Sequence, residues 1–395
     1  MGFKSTTHGP CIYVKYSPTE SMYLLRQVDD FALACDDYET AVSIWDELDS
    51  YLKAPLKRET SLITRHNGIN VLQSRDGIKI YAETYIRKII STKSFDMTTT
   101  KNRPIPMSSD NSVMHTLETT TGSDNLDDQK SLHSKVGFKY RNATGELIFA
   151  MVTCRADIAF SVMKLSQYNN RPALCHYQAI QDVYKYLHAT ASDGLMFWHP
   201  RPCNDLPHTV HVAPQDEPYS VNMPIEGKDR NTAYAMADSD FAGDRNTRKS
   251  VGGSTIFFGG AVVVYKTTLQ RTVALSSTEA EFYALTEAAK LVLYIRFVLE
   301  DLYVPQINPT VIYEDNCRCL QMNQALKPTK CTRHVETRYF AILEWSQTDQ
   351  IIIKKIDSAD NASDNLTKAN GRILFYRHAD TLLGKRPPLY LSTGR

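Results

Sequence analysis

The order of apolar runs within residues 231–368 constrains the fold more than any other feature of the sequence. The runs 254–258 and 261–266 are joined by Gly259-Gly260, and a Gly-Gly pair accepts the positive φ angles that a tight hairpin requires. Further strands are predicted at 232–238, 271–275, 310–314 and 351–356, and helices from about Ser277, Asn316 and His334. This order predicts a mixed sheet covered by helices, with ligands at the carboxyl ends of its parallel strands.

The predicted helix that begins at Ser277 carries a glutamate on its apolar face. Ser276-Ser277-Thr278-Glu279 is a capping box, and the helix should run to about Leu302. Glu281 is at helical spacing from Leu285, Ala288, Val292, Ile295 and Leu299. Glu279 is at helical spacing from Tyr283, Thr286, Glu287 and Lys290. We therefore expect Glu279 to face water and Glu281 to face the sheet. A buried Glu281 would be either paired in a salt bridge or a metal ligand.

Three other acids lie where predicted strands or turns end. Asp315 ends a strand before a helix and could be its N-cap, although Asn316 could cap instead. Asp238 also ends a strand, where an ordinary turn acid is the alternative. Asp240 lies on the same face, so spacing alone does not choose between these two. Asp364 lies in a polar turn, where acids are commonly caps.

Five strings in this region occur in a recognisable order: ADSDFAGD, ALSSTEAEFYAL, IYEDN, TRHVETRYF and SDNLTK. Together they resemble the ribonuclease H domain of copia-type long-terminal-repeat retrotransposon polyproteins. Several ordered motifs are far more specific than any single acid. The resemblance places the four catalytic and metal-binding acids of that family on Asp238, Glu281, Asp315 and Asp364. The helical-face argument selects Glu281 independently.

The resemblance implies metal-dependent hydrolysis of the RNA strand of an RNA-DNA hybrid. Two Mg²⁺ ions roughly 4 Å apart, which Mn²⁺ could replace, would activate a water and stabilise the leaving 3′ oxygen. Carboxylates suit this purpose because Mg²⁺ prefers oxygen ligands and shares its shell with substrate phosphates. Selectivity for RNA would depend on its 2′-hydroxyls and on the minor-groove shape of the hybrid.

The motif TRHVETRYF contains three candidate substrate-binding residues, Arg333, His334 and Arg338, for which a solvated helix face is the alternative. Cellular ribonucleases H place a histidine in a loop near the last acid. Residues 348–363 contain no histidine, so no catalytic histidine is assigned.

Near the amino terminus, Asp29 and Asp30 lie between the apolar runs 21–28 and 31–35, which predicts a hairpin with both acids at its tip. An ordinary acidic turn is the alternative. In context, QVDD resembles the Tyr-Val-Asp-Asp hairpin of reverse transcriptases, with Gln27 in place of the tyrosine. Polymerase chemistry needs a further acid, and Glu20 is the one acidic residue in 1–28. We therefore expect no polymerase activity from this chain alone. A missing amino-terminal polymerase half and other retrotransposon products are candidate partners.

The expected architecture is multidomain, α/β and α+β, because 395 residues exceed one ordinary domain. The resemblance suggests partial reverse-transcriptase palm and thumb, a helical connection, and a ribonuclease H-like mixed five-stranded sheet with flanking helices. The corresponding divisions are 1–96 for palm and thumb, 97–133 for a polar linker, 134–198 for the connection, 199–230 for a second linker, 231–370 for the nuclease and 371–395 for a carboxyl-terminal tail.

Composition excludes several classes of protein. The net charge of +1 is weaker than that of a typical isolated nucleic-acid-binding protein, so any basic groove must be local. Eight cysteines without a CxxC pair favour free thiols in a reducing compartment. No apolar run approaches the roughly 18 residues that span a bilayer, and no signal peptide is visible. We expect a protein of the cytoplasm, in a virus-like particle, or of the nucleus, neither secreted nor membrane-bound.

The sequence leaves two alternatives to an active ribonuclease H. One is a catalytically inactive, nucleic-acid-binding remnant of a retrotransposon. The other is an integrase or transposase-type nuclease, whose core shares this kind of sheet. The second is disfavoured because those enzymes usually place the catalytic glutamate on a later helix, whereas Glu281 lies near the start of the first long helix.

Overall fold

The computed structural model describes residues 1–17, 21–52, 57–58, 62–97, 104–199, 230–317 and 336–385. The strands in these residues form three sheets, and helices pack around them, as the predicted mixed architecture requires. No helix within these ranges is long and apolar enough to cross a membrane.

The first sheet is an antiparallel meander. Its strands are β1 (Lys4–Ser5), β2 (Ile12–Tyr16), β3 (Ser21–Gln27) and β4 (Asp30–Ala34), and helix α1 (Tyr38–Tyr51) follows. The turn between β3 and β4 is Val28-Asp29, and Val28 has a φ of 59°. The predicted hairpin is therefore present, with Asp29 and Asp30 exposed at its end.

The second sheet joins distant parts of the chain. It begins with strands β5 (Arg65–His66), β6 (Ile69–Gln73) and β7 (Gly77–Tyr81). Six helices follow: α2 (Glu83–Ser91), α3 (Asn111–Thr119), α4 (Leu126–Val136), α5 (Tyr140–Cys154), α6 (Ala159–Ser166) and α7 (Leu174–Ala189). Strand β8 (Gly194–Trp198) then returns and pairs antiparallel with β7. The segments predicted as thumb and as connection thus share one sheet.

The stretch 97–133, predicted as a polar linker, differs from that expectation over its described part. It contains α3 and most of α4. The side chain of Asp110 accepts hydrogen bonds at the start of α3, and that of Asn125 does so at the start of α4. The Ser, Thr, Asp and Asn residues that suggested a flexible linker include these helix caps, which satisfy backbone N–H groups that the helix leaves unpaired.

The third sheet is built from strands β9 (Tyr234–Asp240), β10 (Val251–Phe258) and β11 (Ala261–Leu269), helix α8 (Ser277–Asp301), strand β12 (Thr310–Glu314), helix α9 (Glu336–Gln347) and strand β13 (Ile351–Lys355). Its strand order is β11-β10-β9-β12-β13. β9, β10 and β11 are antiparallel neighbours, and β12 runs parallel to both β9 and β13. The predicted Gly259-Gly260 hairpin is present, with φ angles of 66° and 99°.

One predicted strand in this region, 271–275, is wrong. β11 continues to Leu269, where it pairs with Val251, and the chain then turns toward α8. Val273 and Leu275 are 47% and 74% exposed, so their apolar side chains fill no strand position in the core. The apolar run belongs to the approach to the helix.

The two faces of the third sheet are covered by different parts of the chain. On one face, Ala235, Ala237 and Ile256 pack with Phe282 and Leu285 of α8. On the other, the strand residues Tyr234, Met236 and Phe257 share a buried cluster with Ala156, Ala159 and Leu382. The second face therefore depends on residues that lie outside the predicted nuclease segment 231–370.

The segment 371–395, predicted as a tail, contains helix α10 (Arg372–Leu382). Phe375, Tyr376, Ala379, Leu382 and Leu383 are buried. Hydrogen bonds also join this segment to distant parts of the chain. The Tyr376 hydroxyl donates to the Pro104 carbonyl at 2.6 Å, and the Trp198 indole donates to the Gly384 carbonyl at 2.6 Å. Residues 372–385 are therefore part of the core, a role that was not predicted from the sequence. Residues 386–395, and 200–229 of the second predicted linker, lie outside the described residues.

Candidate metal centre

Three acidic side chains from different elements converge at one edge of the third sheet. Asp238 lies on β9, Glu281 lies near the start of α8, and Asp315 directly follows β12. One carboxylate oxygen of each lies within 4.8 Å of the other two. β9 and β12 are parallel neighbours, so their carboxyl ends meet at the same edge, where the sequence placed a ligand site.

The start of α8 fixes which glutamate faces this edge. The Ser276 hydroxyl accepts a hydrogen bond from the Glu279 backbone N–H at 3.1 Å, and the Glu279 carboxylate accepts one from the Leu275 N–H at 2.7 Å. Glu279 is thereby used in the cap and is half-buried. Glu281 is 8% exposed, and its Oε2 is buried without a hydrogen-bond partner. The predicted orientation of Glu281 toward the sheet is confirmed.

Burial and neighbouring carboxyl groups disfavour the ionised forms of these acids. Burial raises the pKa of Glu281 to about 11, and the neighbouring carboxyls of Glu314 and Asp238 contribute to the rise. Burial, together with the Asp364 carboxylate, raises the pKa of Asp238 to about 7. Nearby like charges disfavour the ionised form of each acid. A bound divalent cation would reverse this balance and favour the carboxylates.

Asp364 lies beside Asp238 but pairs with a lysine. It occupies a 3₁₀ turn, Ala362–Leu366, and its Oδ1 is 2.5 Å from the Lys368 Nζ. The His378 Nε2 of α10 is 3.9 Å from the other oxygen of Asp364. Thr367, which directly follows this turn, donates a hydrogen bond to the Asp238 carboxylate. Burial raises the pKa of Asp364 despite the Lys368 ammonium.

A fifth carboxylate, Glu314, was not selected from the sequence. It is fully buried at the end of β12, where its Oε1 accepts a hydrogen bond from the Asn316 N–H at 2.9 Å. Its Oε2 is buried without a hydrogen-bond partner, and burial raises its pKa well above the ordinary value. Strand alternation could have predicted the burial of Glu314, because it lies on the same side of β12 as Ile312, which is also fully buried.

The residues present fit a divalent cation of the Mg²⁺ type. Every converging donor is a carboxylate oxygen, the ligand that hard cations prefer. Among the described residues, no donor forms a hydrogen bond with the buried Oε2 of Glu281. Asp238, Glu281 and Asp315 are the residues that could hold the ion, with Asp364 adjacent to Asp238.

The remaining sequence-predicted site residues lie elsewhere or outside the described residues. Asp29 and Asp30 belong to the first sheet, which contacts the carboxyl-terminal end of α8 through a hydrogen bond from the Tyr23 hydroxyl to the Leu302 carbonyl at 3.0 Å. That end of the helix is about 30 Å from Glu281 at 1.5 Å per residue. Arg338 is exposed, with its guanidinium 4.0 Å from the centre of the Tyr283 ring. Arg333 and His334 lie outside the described residues.

Close packing at Gly253 links the sheet to the Asp364 turn, and we expect Gly253→Ala to disturb both. Gly253 pairs with Asp238 in register, and a Cβ added to it would lie 2.8 Å from the Ser363 carbonyl oxygen. Because this neighbour is backbone, the turn itself must move, at an expected cost of about 1–3 kcal/mol in the free energy of unfolding. Urea denaturation, with and without Mg²⁺, measures this cost and the loss of stabilisation by the ion.

Gly252→Ala is the matched control for Gly253→Ala. A Cβ at Gly252 would meet its nearest atom, the Gln270 Nε2, at 3.6 Å, which is an ordinary contact. Its stability should stay within about 0.5 kcal/mol of the natural chain or rise slightly. Equal effects of the two substitutions would contradict the assigned contact between Gly253 and the turn.

Comparison with known proteins finds relatives that match nearly the whole length of this chain. No protein-family model matches. Two solved structures of LC11-RNase H1 are similar over about a third of the chain. The first structure, of LC11-RNase H1 isolated from compost by a metagenomic approach, has a TM-score of 0.28 and 16% identity. The match covers 35% of this chain and 93% of that chain. The other, in complex with an RNA/DNA hybrid, has a TM-score of 0.28 and 14% identity, over 34% of this chain and 94% of that chain.

The similar curated proteins include transposon polyproteins. The Pol polyprotein from transposon TNT 1-94 of Nicotiana tabacum is 26% identical over 94% of this chain and 25% of its own length. That from transposon RE1 of Arabidopsis thaliana is 23% identical over 98% of this chain and 23% of its own length. Secreted RxLR effector protein 161 of Plasmopara viticola is 33% identical over 38% of this chain and 87% of its own length.

The chain spans about a quarter of the length of the transposon polyproteins that it matches. The matches cover nearly all of this chain, including the first sheet, the helices α2 to α7, which we call the helical segment, and the sheet that carries the acidic cluster. The chain therefore belongs to the copia-type retrotransposon Pol polyproteins.

Proposed function

We propose that the third sheet and its covering helices form a ribonuclease H, which hydrolyses the RNA strand of RNA-DNA hybrids with the help of divalent cations. The observation that carries the proposal is the convergence of Asp238, Glu281 and Asp315, with one oxygen of each within 4.8 Å of the others. Membership of a retrotransposon polyprotein family supports it, as does the order of the sequence motifs around these acids.

The proposed site would hold Mg²⁺, in a pair of ions, through Asp238, Glu281, Asp315 and Asp364. When bound, such ions would activate a water and stabilise the leaving oxygen of a displacement at phosphorus. The residues of the chain provide orientation. Thr367 donates a hydrogen bond to Asp238, and Lys368 holds Asp364 at 2.5 Å. Burial of Glu281 against the sheet removes its carboxylate from bulk water, which strengthens its interaction with a cation.

The rest of the chain is assigned by the same resemblance. We propose that 1–96 is a partial polymerase palm and thumb with Asp29 and Asp30 as remnant metal-binding acids, and that 134–198 is the connection. Polymerase activity would then require a further metal-binding acid beside Asp29 and Asp30. The proposed place of action is the cytoplasm, in a virus-like particle, or the nucleus.

The proposed function is tested by incubating the full chain with an end-labelled RNA-DNA hybrid in Mg²⁺, in Mn²⁺ and in EDTA. The full chain is used because the second face of the third sheet packs on Ala156, Ala159 and Leu382, which a segment such as 231–370 would lack. Cutting of the RNA strand alone, dependent on the metal, is the expected result.

Three other outcomes would overturn the proposed activity. Binding of the hybrid by the folded chain without cutting would identify an inactive nucleic-acid-binding remnant. Joining of DNA ends to a target DNA would identify an integrase or transposase-type activity. Cutting of both strands would remove the assigned selectivity for RNA.

A further inference from the structure

A buried ionic cluster joins the helical segment to the third sheet. The Nζ of Lys164, on α6, lies 2.6 Å from the Oε1 of Glu118, on α3, and 3.7 Å from the Oδ2 of Asp244. These three side chains are nearly inaccessible to water. The Arg245 Nε lies 3.3 Å from the other carboxylate oxygen of Glu118. Two elements of the helical segment thus meet two consecutive residues of the loop between β9 and β10.

This loop, residues 241–250, is held in a closed shape. The Ala242 N–H donates to the Ser250 hydroxyl at 3.0 Å, and the Arg248 N–H donates to the Asp244 carbonyl at 2.7 Å. The Asp244 carboxylate accepts a hydrogen bond from the Thr247 N–H at 2.8 Å. Arg248 has a φ of 57°, a conformation that a non-glycine residue keeps only where its surroundings fix it.

The loop is also tied to the backbone of α3. The Asn246 Nδ2 donates to the Glu118 carbonyl at 2.9 Å. The loop therefore contacts Glu118 through both its side chain and its backbone. Removing one charge from the cluster would leave another buried without compensation, which is strongly destabilising.

The loop begins next to the acidic site. It directly follows β9, which carries Asp238 and Asp240. A Cβ on Gly243 would lie 1.9 Å from the Asp240 Oδ2, so the loop backbone approaches that carboxylate as closely as a glycine allows. A shift of the loop would consequently move cationic side chains relative to the acids.

Two cations of the loop are not used in the cluster. Arg248 is exposed and Lys249 is half-buried, and neither forms an ion pair with a described residue. A nucleic-acid backbone that approaches this cluster of carboxyl groups, four of them buried, meets unfavourable charge, and the net charge of the chain is only +1. Cations beside the site would offset this repulsion locally, because phosphate contacts supply much of the affinity for nucleic acid and set its position.

We propose that the buried Lys164–Glu118 pair anchors the loop 241–250, so that Arg248 and Lys249 contact the phosphate backbone of the nucleic acid beside the acidic cluster. Lys164 and Glu118 are positioning residues that lie outside the nuclease segment. Arg248 and Lys249 are the binding residues. The inference relies on the proposed function for the choice of an RNA-DNA hybrid as the ligand.

The test is a double-mutant cycle on binding, which does not require cutting. The full chain is titrated with a fluorescent hybrid of 2′-O-methyl RNA and DNA, which ribonucleases H do not cleave, over a series of salt concentrations. Arg248→Ala with Lys249→Ala should weaken binding about tenfold at low salt and reduce the salt slope by about 1 to 2. In a chain that also carries Lys164→Met with Glu118→Gln, the same pair of changes should have much less effect, because the cations are no longer held in place.

A matched control removes another buried ion pair of the helical segment. The Lys93 Nζ lies 2.7 Å from the Glu146 Oε2, and the Lys93 side chain is 6% exposed. Lys93→Met with Glu146→Gln should leave hybrid binding unchanged and should combine additively with the loop changes. Additive effects of the Lys164 and Glu118 changes, or normal binding by the Arg248 and Lys249 variant, would overturn the inference.

A second variant keeps the test informative where the cluster variant fails to fold. Asn246→Ala removes the hydrogen bond to Glu118 without leaving a buried charge. It should also reduce the effect of the Arg248 and Lys249 changes, and an unreduced effect would count against the anchor. If the effects on binding are coupled but the chain does not cut the hybrid, only the proposed nuclease activity is rejected. If the chain cuts the hybrid but the effects on binding are additive, only this inference is rejected.

Discussion

Glu281→Gln is expected to reduce cutting of the RNA strand by at least about a thousand-fold while it makes the metal-free chain more stable. The loss of cutting follows from the loss of one charged ligand in the group that Glu281 forms with Asp238 and Asp315. The gain in stability follows because the glutamine amide has a similar shape and is neutral without taking up a proton on folding. A residue whose removal helps folding and prevents activity is typical of a functional site.

The gain in stability should depend on pH. Burial raises the pKa of Glu281 to about 11, above the ordinary glutamate value of about 4.3. Between these values the folded chain holds a proton that the unfolded chain releases, so the free energy of unfolding falls as pH rises. The stability is fully present below the unfolded pKa and is lost as pH rises toward the folded pKa. The advantage of Glu281→Gln should therefore be about 1 kcal/mol at pH 5 and rise to several kcal/mol at pH 8.

Urea denaturation in EDTA at the two pH values measures this advantage, and added Mg²⁺ should stabilise the natural chain more than the variant. Glu279→Gln is the control on the same helix. Its amide oxygen can still accept the hydrogen bond from the Leu275 N–H, so the cap should persist. Equal loss of cutting in both variants, or loss in neither, would refute the assignment of Glu281 to the site.

The sequence predicted those features of the site that depend on local periodicity. Helical spacing alone placed Glu281 on the buried side of α8 and Glu279 on the other, and the structure has this arrangement. The Gly259-Gly260 turn and the N-cap at Ser276 were likewise predicted, because they depend only on neighbouring residues. The capping box differs in one bond, because the Glu279 carboxylate accepts from the Leu275 N–H and not from the Ser276 N–H. The choice of Asp238 over Asp240 came from the family resemblance, since strand alternation puts both on one face.

Features that depend on contacts between distant residues were not predictable in this way. Lys164 and Glu118 lie on different helices, and no spacing rule relates either one to Asp244. Glu314 was passed over because Asp315, its neighbour, matched the family motif. The missed role of α10 has the same origin: its apolar residues cover a sheet that is assembled from other parts of the chain.

Deletion of residues 371–395 should therefore unfold the third sheet, although the sequence suggested only a carboxyl-terminal tail. Among the described residues, the deletion removes five buried apolar side chains, those of Phe375, Tyr376, Ala379, Leu382 and Leu383. Full burial of one Phe or Leu side chain contributes about 1.5–3 kcal/mol. The summed loss is comparable with the whole stability of a typical domain, about 5–15 kcal/mol. Thermal denaturation should show the loss of the cooperative transition, and the hybrid should no longer be cut.

The deletion should affect the acidic site as well as the core. The Asn365 side chain donates a hydrogen bond to the Phe375 carbonyl at 2.9 Å, so α10 holds the turn that carries Asp364. Deletion of residues 386–395 alone leaves every described contact of α10 in place and should preserve both folding and cutting. If the longer deletion folded and cut the hybrid normally, α10 would have no part in positioning Asp364.

A point substitution on α10 separates burial from simple shortening of the chain. Phe375→Ala should lower the free energy of unfolding by about 3–5 kcal/mol, because it leaves a cavity beside Tyr186, whose ring centre lies 5.5 Å away. Ile373→Ala, on the same helix, changes a side chain that is 70% exposed and should cost less than about 1 kcal/mol. Similar costs for the two substitutions would mean that α10 does not pack through Phe375. The expected difference requires α10 to be part of the folded core that supports the acidic cluster.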